Sequence, residues 1–313
     1  MAQKVLILGE SGTGKSASLR NFSADEVFVI NSAGKPLPFK NHFETVTPSF
    51  QRLTADIMNA MTSTKKKVIV IDDVQYILSF PMMRRIKESG WDKWNDIQGD
   101  FFNIIQTCDD LPADVIVYFL SHIQHTDDGR EKIKTVGKML DEKITIEGLF
   151  TVVLKTSVND GTYCFLTQNS GMDTVKSPIG MFDTYAIDND LKYVDTKIRN
   201  YYEIGNYVTD DEMKELDQEA AKPEVQKTDP KARRRKEREN VKDKEEKPEE
   251  ASAEEAQEET TRTRRRSAKT ASEQPSEEVK EETPVNGGRR RRRRKNDDWM
   301  DLPDDDTNPF GDD

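Results

Sequence analysis

The sequence predicts an α/β protein: a parallel sheet covered on both faces, extended by an antiparallel hairpin and followed by a long disordered, charged tail. Three observations predict this. Short continuous apolar runs at residues 5–8, 27–30, 68–71 and 115–120 are separated by stretches of helical periodicity, the pattern of strands buried on both faces. Two further runs, 150–156 and 162–167, flank Asn159-Asp160-Gly161, which is hairpin turn chemistry. Beyond residue 220 the aromatic residues are Trp299 and Phe310 alone, too little to offset the entropy of ordering the chain.

The first strand, Val5-Leu6-Ile7-Leu8, runs directly into Gly9-Glu10-Ser11-Gly12-Thr13-Gly14-Lys15-Ser16. Two glycines five apart, followed by Lys and a hydroxyl residue, fit the phosphate-binding P-loop. Gly9, Gly12 and Gly14 let the backbone approach an anion, so that successive N–H groups and the start of a following helix point at it. In this reading residues 9–16 bind the nucleotide, Lys15 reaches the β/γ-phosphates and Ser16 offers its hydroxyl to Mg²⁺.

The second strand ends Val29-Ile30-Asn31-Ser32. Phe50, Leu53, Ile57, Met58 and Met61 then recur at helical spacing, with Thr47-Pro48 as a plausible start. The third strand reads Val68-Ile69-Val70-Ile71-Asp72-Asp73, an apolar strand ending in acids, as in the Walker B motif. Asp72 is expected to hold Mg²⁺. Asp73 is either the base that orients the attacking water or a solvated turn carboxylate. A helix with Trp91, Trp94, Ile97, Phe101, Phe102 and Ile105 on its core side follows, a reading preferred here to a base-stacking platform. The fourth strand ends Ser121-His122. One of these two faces the γ-phosphate, or His122 is simply structural; with Lys15 and Asp73, His122 makes up the candidate catalytic set. Helical spacing returns at Val194, Ile198 and Tyr201 or Tyr202, after which the acidic segment 210–219 is expected to lead out of the fold.

The 313 residues carry a net charge of −11. Residues 1–200 hold 23 basic and 26 acidic side chains, and residues 201–313 hold 25 and 33. The folded part is therefore close to neutral, and no global field attracts nucleic acid. Cys108 and Cys164 lack CxxC spacing and read as buried thiols of a reducing compartment. His42 and His125 have no partners at metal-ligand spacing, so no zinc site is expected. No apolar run approaches membrane-spanning length, and the expectation is a cytoplasmic protein without membrane contact. The predicted organisation is an ATPase domain at 1–205 and a disordered tail at 206–313.

Together these residues resemble the RecA-like ATPases of tailed phages, the group that includes single-strand annealing recombination proteins. The resemblance rests on residues 9–16, Gly34-Lys35-Pro36-Leu37-Pro38-Phe39, Ile71-Asp72-Asp73 and Ser121-His122. It continues through Thr135-Val136-Gly137-Lys138-Met139-Leu140, Ile146-Glu147-Gly148-Leu149-Phe150 and Lys176-Ser177-Pro178-Ile179-Gly180-Met181-Phe182. It implies a RecA-like P-loop NTPase core, ATP and Mg²⁺ as cofactors, a homo-oligomer on single-stranded DNA, and work beside a single-strand binding protein in the host cytoplasm. RecA itself takes its catalytic Glu from the second strand, where this chain has Asn31-Ser32. Lys138 is a candidate for completing a neighbouring subunit's site, against the plainer reading of an exposed lysine.

The tail alternates Glu-rich stretches with basic blocks at 231–238, 262–266 and 289–295. The last block is read as a phosphate-backbone contact, and the inner two as parts of a solubilising polyampholyte. The acidic tip, 297–313, is similar to the ends of bacterial single-strand binding proteins. Here Gly311-Asp312-Asp313 follows Phe310, so a terminal carboxylate on Phe is not offered, and folding back onto the arginines is the alternative.

Overall fold

The computed structural model describes residues 1–136, 140 and 143–222. Lys138 and the tail elements at 231–238, 262–266, 289–295 and 297–313 lie outside these residues. The elements in order are β1 (Gln3–Gly9), β2 (Val27–Asn31), β3 (Glu44–Val46), α1 (Leu53–Ser63), β4 (Val68–Asp72), α2 (Gln75–Arg84), α3 (Asp92–Thr107), β5 (Ile116–His125), β6 (Glu131–Ile133), β7 (Val152–Asn159), β8 (Thr162–Leu166), β9 (Ala186–Asp188), α4 (Leu191–Tyr202) and α5 (Asp210–Ala220). They build one mixed sheet in the order β3-β2-β4-β5-β1-β7-β8-β9, with β6 pairing β5 off this path. The pairs from β3 through β7 are parallel, whereas β7–β8 and β8–β9 are antiparallel.

The unbroken apolar runs are explained by burial on both faces. Leu6 and Leu8 of β1, Ile69 and Ile71 of β4, and Val117 and Phe119 of β5 pack into one core with α1, α2 and α3. Val5 and Ile7, Val68 and Val70, and Ile116, Tyr118 and Leu120 pack into the other, with Leu19, Val194 and Ile198. Alternate residues point to opposite faces, and since both faces are covered, every position is apolar. The sheet therefore fixes its register firmly at the carboxyl ends of the strands. Gly9 stands beside His122, and Asn31 beside Asp72.

The structure corrects several sequence expectations. The P-loop opens not into an α-helix but into a six-residue 3₁₀ turn, Ser16–Asn21. Ser18 donates its hydroxyl to the Lys15 carbonyl at 2.6 Å, the local bond by which Ser competes with helical pairing. Trp91 is 81% exposed at the start of α3, while Ile97, Phe101, Ile104 and Ile105 form the helix's buried stripe. A Trp nearly two turns ahead of the stripe matches its spacing without sharing its burial. α2 has no counterpart in the sequence reading because Pro81 lies inside it, and proline argues against a helix interior.

Residues 206–222 also differ from the expected tail. Thr209 and Glu212 form a reciprocal capping box that starts α5. Met213 is buried, Tyr193 donates to Asp217 at 2.7 Å, and Lys197 does so at 2.5 Å. The Lys222 N–H then bonds the Ala186 carbonyl at 3.0 Å. The acidic stretch at 210–219 is thus a capped helix held to α4, not an exit from the fold.

Candidate nucleotide-binding site

The carboxyl edge of the parallel strands gathers the chemistry. A cavity of about 210 Å³ is lined by P-loop residues Ser11, Gly12, Gly14, Lys15 and Ser16, and closed by Lys35, Asp73, His122 and Tyr163. It lies outside the carboxyl ends of β1, β4 and β5, which is where ligands of open α/β sheets bind.

Within the P-loop, Gly12 and Gly14 hold φ of +79° and +97°, values that L side chains rarely adopt. Gly9 is needed for space rather than for φ. A Cβ there would stand 1.8 Å from Thr156 Oγ1 and 2.7 Å from Thr13 Oγ1. These two hydroxyls bond each other at 2.5 Å, and Thr156 also meets the Leu8 carbonyl at 3.2 Å, tying β7 under the loop. Gly9→Ala is therefore expected to destabilise the protein by about 1–3 kcal/mol through overpacking, with Thr156→Ala recovering part of the loss. Thermal denaturation of the single and double variants measures this, and a Gly9→Ala protein that melts with wild type would exclude the contact.

Lys15 is buried, and its ammonium donates to the carbonyls of Gly9 at 3.0 Å and Glu10 at 2.8 Å. Burial lowers its pKa to about 8, opposed by the charges of Asp73 and Asp72. Ser16 donates its hydroxyl to both oxygens of Asp72, at 3.0 and 2.9 Å. Burial raises the Asp72 pKa, and the neighbouring Asp73 charge adds to the rise. A hydroxyl touching a carboxylate beside a phosphate-sized cavity is an oxygen donor set suited to Mg²⁺, so ATP and Mg²⁺ fit the residues present. Lys15 and the P-loop backbone would hold the phosphates, and Ser16 and Asp72 the metal. Bound there, Mg²⁺ would neutralise charge on the β- and γ-phosphate oxygens.

Asp73 is buried rather than solvated. Its φ of +59° turns the chain from β4 toward α2, and the Val74 N–H ties that turn to the Leu120 carbonyl at 2.9 Å. Lys35 forms an ion pair with one Asp73 oxygen, and His122 Nε2 lies 3.6 Å from the other. Burial alone would raise the Asp73 pKa, but the polar contacts of His122, Lys35 and Gln75 outweigh it and bring it to about 2. Between the two expected sensor residues, Ser121 is fully buried with its hydroxyl on the His122 carbonyl at 3.3 Å, while His122 lines the cavity. Glu10 is not among the residues that line the cavity, and its carboxylate meets His125 at 3.3 Å.

Lys35, Gln75 and Tyr163 were not among the residues singled out for the site. Gln75 bridges two strand ends, donating to Asp73 at 3.4 Å and accepting from the His122 N–H at 3.4 Å. Tyr163, on β8, stands by Gly14, so that a Cβ on that glycine would meet its ring at 3.0 Å. No motif marks either residue.

A strand between the P-loop strand and the Walker B strand, with both motifs at the flanking carboxyl ends, is the strand order of P-loop NTPases with an added central strand, the group to which RecA-like folds belong. No family model matches the chain, and no curated protein does. Among solved structures it is similar to the KaiC-like protein PH0186 from the hyperthermophilic archaeon Pyrococcus horikoshii OT3, at 15% identity and a TM-score of 0.36, over 52% of this chain and 77% of that one. It is also similar to a prototypical ATPase from the type III secretion system of pathogenic bacteria, at 13% identity and a TM-score of 0.33, over 50% of this chain and about half, 52%, of that one. The fold assignment rests on strand order and motif placement, not on these distant likenesses. Among the described residues, no helix is long and apolar enough to cross a membrane.

Proposed function

We propose that the chain is an ATPase that binds Mg²⁺·ATP at residues 9–16 and uses hydrolysis in DNA recombination or single-strand annealing, as the phage RecA-like resemblance implies. The observation that carries the ATPase reading is the convergence of Lys15, Ser16, Asp73 and His122, from three strand ends, on one cavity, with Asp72 bonded to Ser16 behind it. In this reading Lys15 binds the β/γ-phosphates and Asp73 orients the attacking water. His122, in contact with Asp73, registers the γ-phosphate. The recombination role draws on the sequence motifs and on the basic block at 289–295, whose arginines would hold single-stranded DNA through its phosphates. Assembly as a homo-oligomer, docking of a single-strand binding protein through 297–313, and completion of a neighbour's site by Lys138 belong to the same proposal.

A second reading has the same ATPase serve another phage DNA task, such as helicase loading or genome handling, without annealing. Purified full-length protein mixed with complementary oligonucleotides, with and without ATP, separates the two. ATP-responsive annealing together with DNA-stimulated hydrolysis is the expected result. Hydrolysis without annealing favours the second reading, and absence of hydrolysis with or without DNA would overturn both.

A further inference from the structure

The cavity contains a second lysine for which the P-loop pattern has no use. Lys35 follows β2 in a turn that is well anchored. Gly34, at φ +66°, donates its N–H to the Asn31 carbonyl at 3.2 Å, and the Asn31 amide donates back to the Lys35 carbonyl. Asn31 is itself in register with Asp72, so the turn sits beside the Walker B strand end. From there the Lys35 side chain reaches across the cavity to Asp73.

The two partners of this ion pair are unequal. The Lys35 side chain is 53% exposed and that of Asp73 is 2% exposed. Asp73 is fixed by its backbone turn and by His122 and Gln75, whereas the lysine ends a flexible four-carbon stem that lines the cavity and is half exposed. A γ-phosphate entering beside Asp72 and Asp73 brings more negative charge into a site that already holds two carboxylates. A mobile ammonium that can move from carboxylate to phosphate lowers that repulsion. ADP, lacking the γ-phosphate, offers nothing to draw it away.

We propose that Lys35 is a γ-phosphate ligand that rests on Asp73 until ATP arrives, and that its transfer to the phosphate both distinguishes ATP from ADP and frees the Asp73 carboxylate to orient water. This rests on the P-loop reading and assigns Lys35 as that site's discriminating residue. It also supplies a cation from the turn just beyond Asn31-Ser32, so the carboxylate and its counter-charge come from two different strand ends.

The test is equilibrium binding, not turnover. Fluorescent ADP and the β,γ-imido analogue of ATP, each with Mg²⁺, are titrated into wild type, Lys35→Met and Lys35→Arg. Lys35→Met keeps the stem and removes the charge. It is expected to weaken the imido analogue by about tenfold or more, the worth of one charge-assisted hydrogen bond, while ADP affinity stays within about twofold. Lys35→Arg is expected to preserve the preference for the triphosphate. Equal losses for both ligands, or none for either, would overturn the role of Lys35 while leaving the P-loop in place. A wild-type protein that binds neither nucleotide would remove the P-loop reading and this proposal with it. Circular dichroism of each variant establishes that it is folded, and a Lys35→Met protein that does not fold passes the decision to Lys35→Gln in the same titration.

Discussion

Lys15→Ala is expected to weaken nucleotide binding by about a hundredfold or more, the worth of one or two charge-assisted hydrogen bonds to phosphate, and to take ATP hydrolysis to background. The reason is positional. Lys15 is the cation buried inside the P-loop, held at the carbonyls of Gly9 and Glu10, and alanine leaves the phosphates with backbone donors alone. Asp72→Asn should behave differently, sparing nucleotide binding without metal but losing Mg²⁺-dependent turnover, since the proposed metal site would lose the carboxylate that meets Ser16. The pH dependence follows from the Lys15 pKa, lowered to about 8 by burial. The phosphates require the charged amine, so affinity is full below pH 8 and falls as pH rises through that value. Titration with fluorescent nucleotide from pH 6.5 to 9.5 checks both effects. A Lys15→Ala protein that hydrolyses ATP at the wild-type rate would remove the site assignment.

What could be read from the sequence shares one physical property: each signal is local. The P-loop, the Asp72-Asp73 strand end and the turn at Asn159-Asp160-Gly161 are each set by a few adjacent residues, and β1, β4, β7 and β8 lie where those signals place them. What escaped depends on separated parts of the chain meeting. Lys35 and Asp73 pair because the register of β2 against β4 brings the two strand ends together. Tyr163 reaches Gly14 because β7 pairs with β1 and carries its hairpin to the P-loop. Local pattern misled in two places where tertiary context decided. Trp91 fits the helical stripe but lies beyond the core's edge, and 210–219 is too acidic to look folded although Met213 and Asp217 anchor it. The short strands β3, β6 and β9 have three residues each, too few for any pattern to show.

Arg199→Met should have the largest effect on stability, a loss of about 3–5 kcal/mol, because it strands a buried charge. Arg199 donates to Asp195 at 2.6 Å from Nε, to the Asp114 carbonyl at 3.0 Å and to the Lys67 carbonyl at 3.1 Å. It thereby fastens α4 to the amino ends of β4 and β5. Asp195 is buried and also accepts from Tyr118, at 2.9 Å, beneath the centre of the sheet. Methionine keeps much of the volume but leaves the Asp195 carboxylate without its cation. Burial already raises the Asp195 pKa, with Arg199 opposing the rise, so removing Arg199 raises it further. A carboxyl whose folded pKa lies above its unfolded value contributes stability that is fully present below the unfolded pKa and lost as pH rises through the folded one. The deficit of Arg199→Met is thus expected to be largest near neutral pH and to shrink as the pH falls toward 4. Adding Asp195→Asn removes the stranded charge while keeping an acceptor for Tyr118, and should recover a substantial part of the loss at pH 7. Urea denaturation of both variants at pH 7 and pH 5 decides the matter. A single variant with the same deficit at both pH values, unrelieved by Asp195→Asn, would mean that Arg199 contributes packing and carbonyl bonds rather than charge.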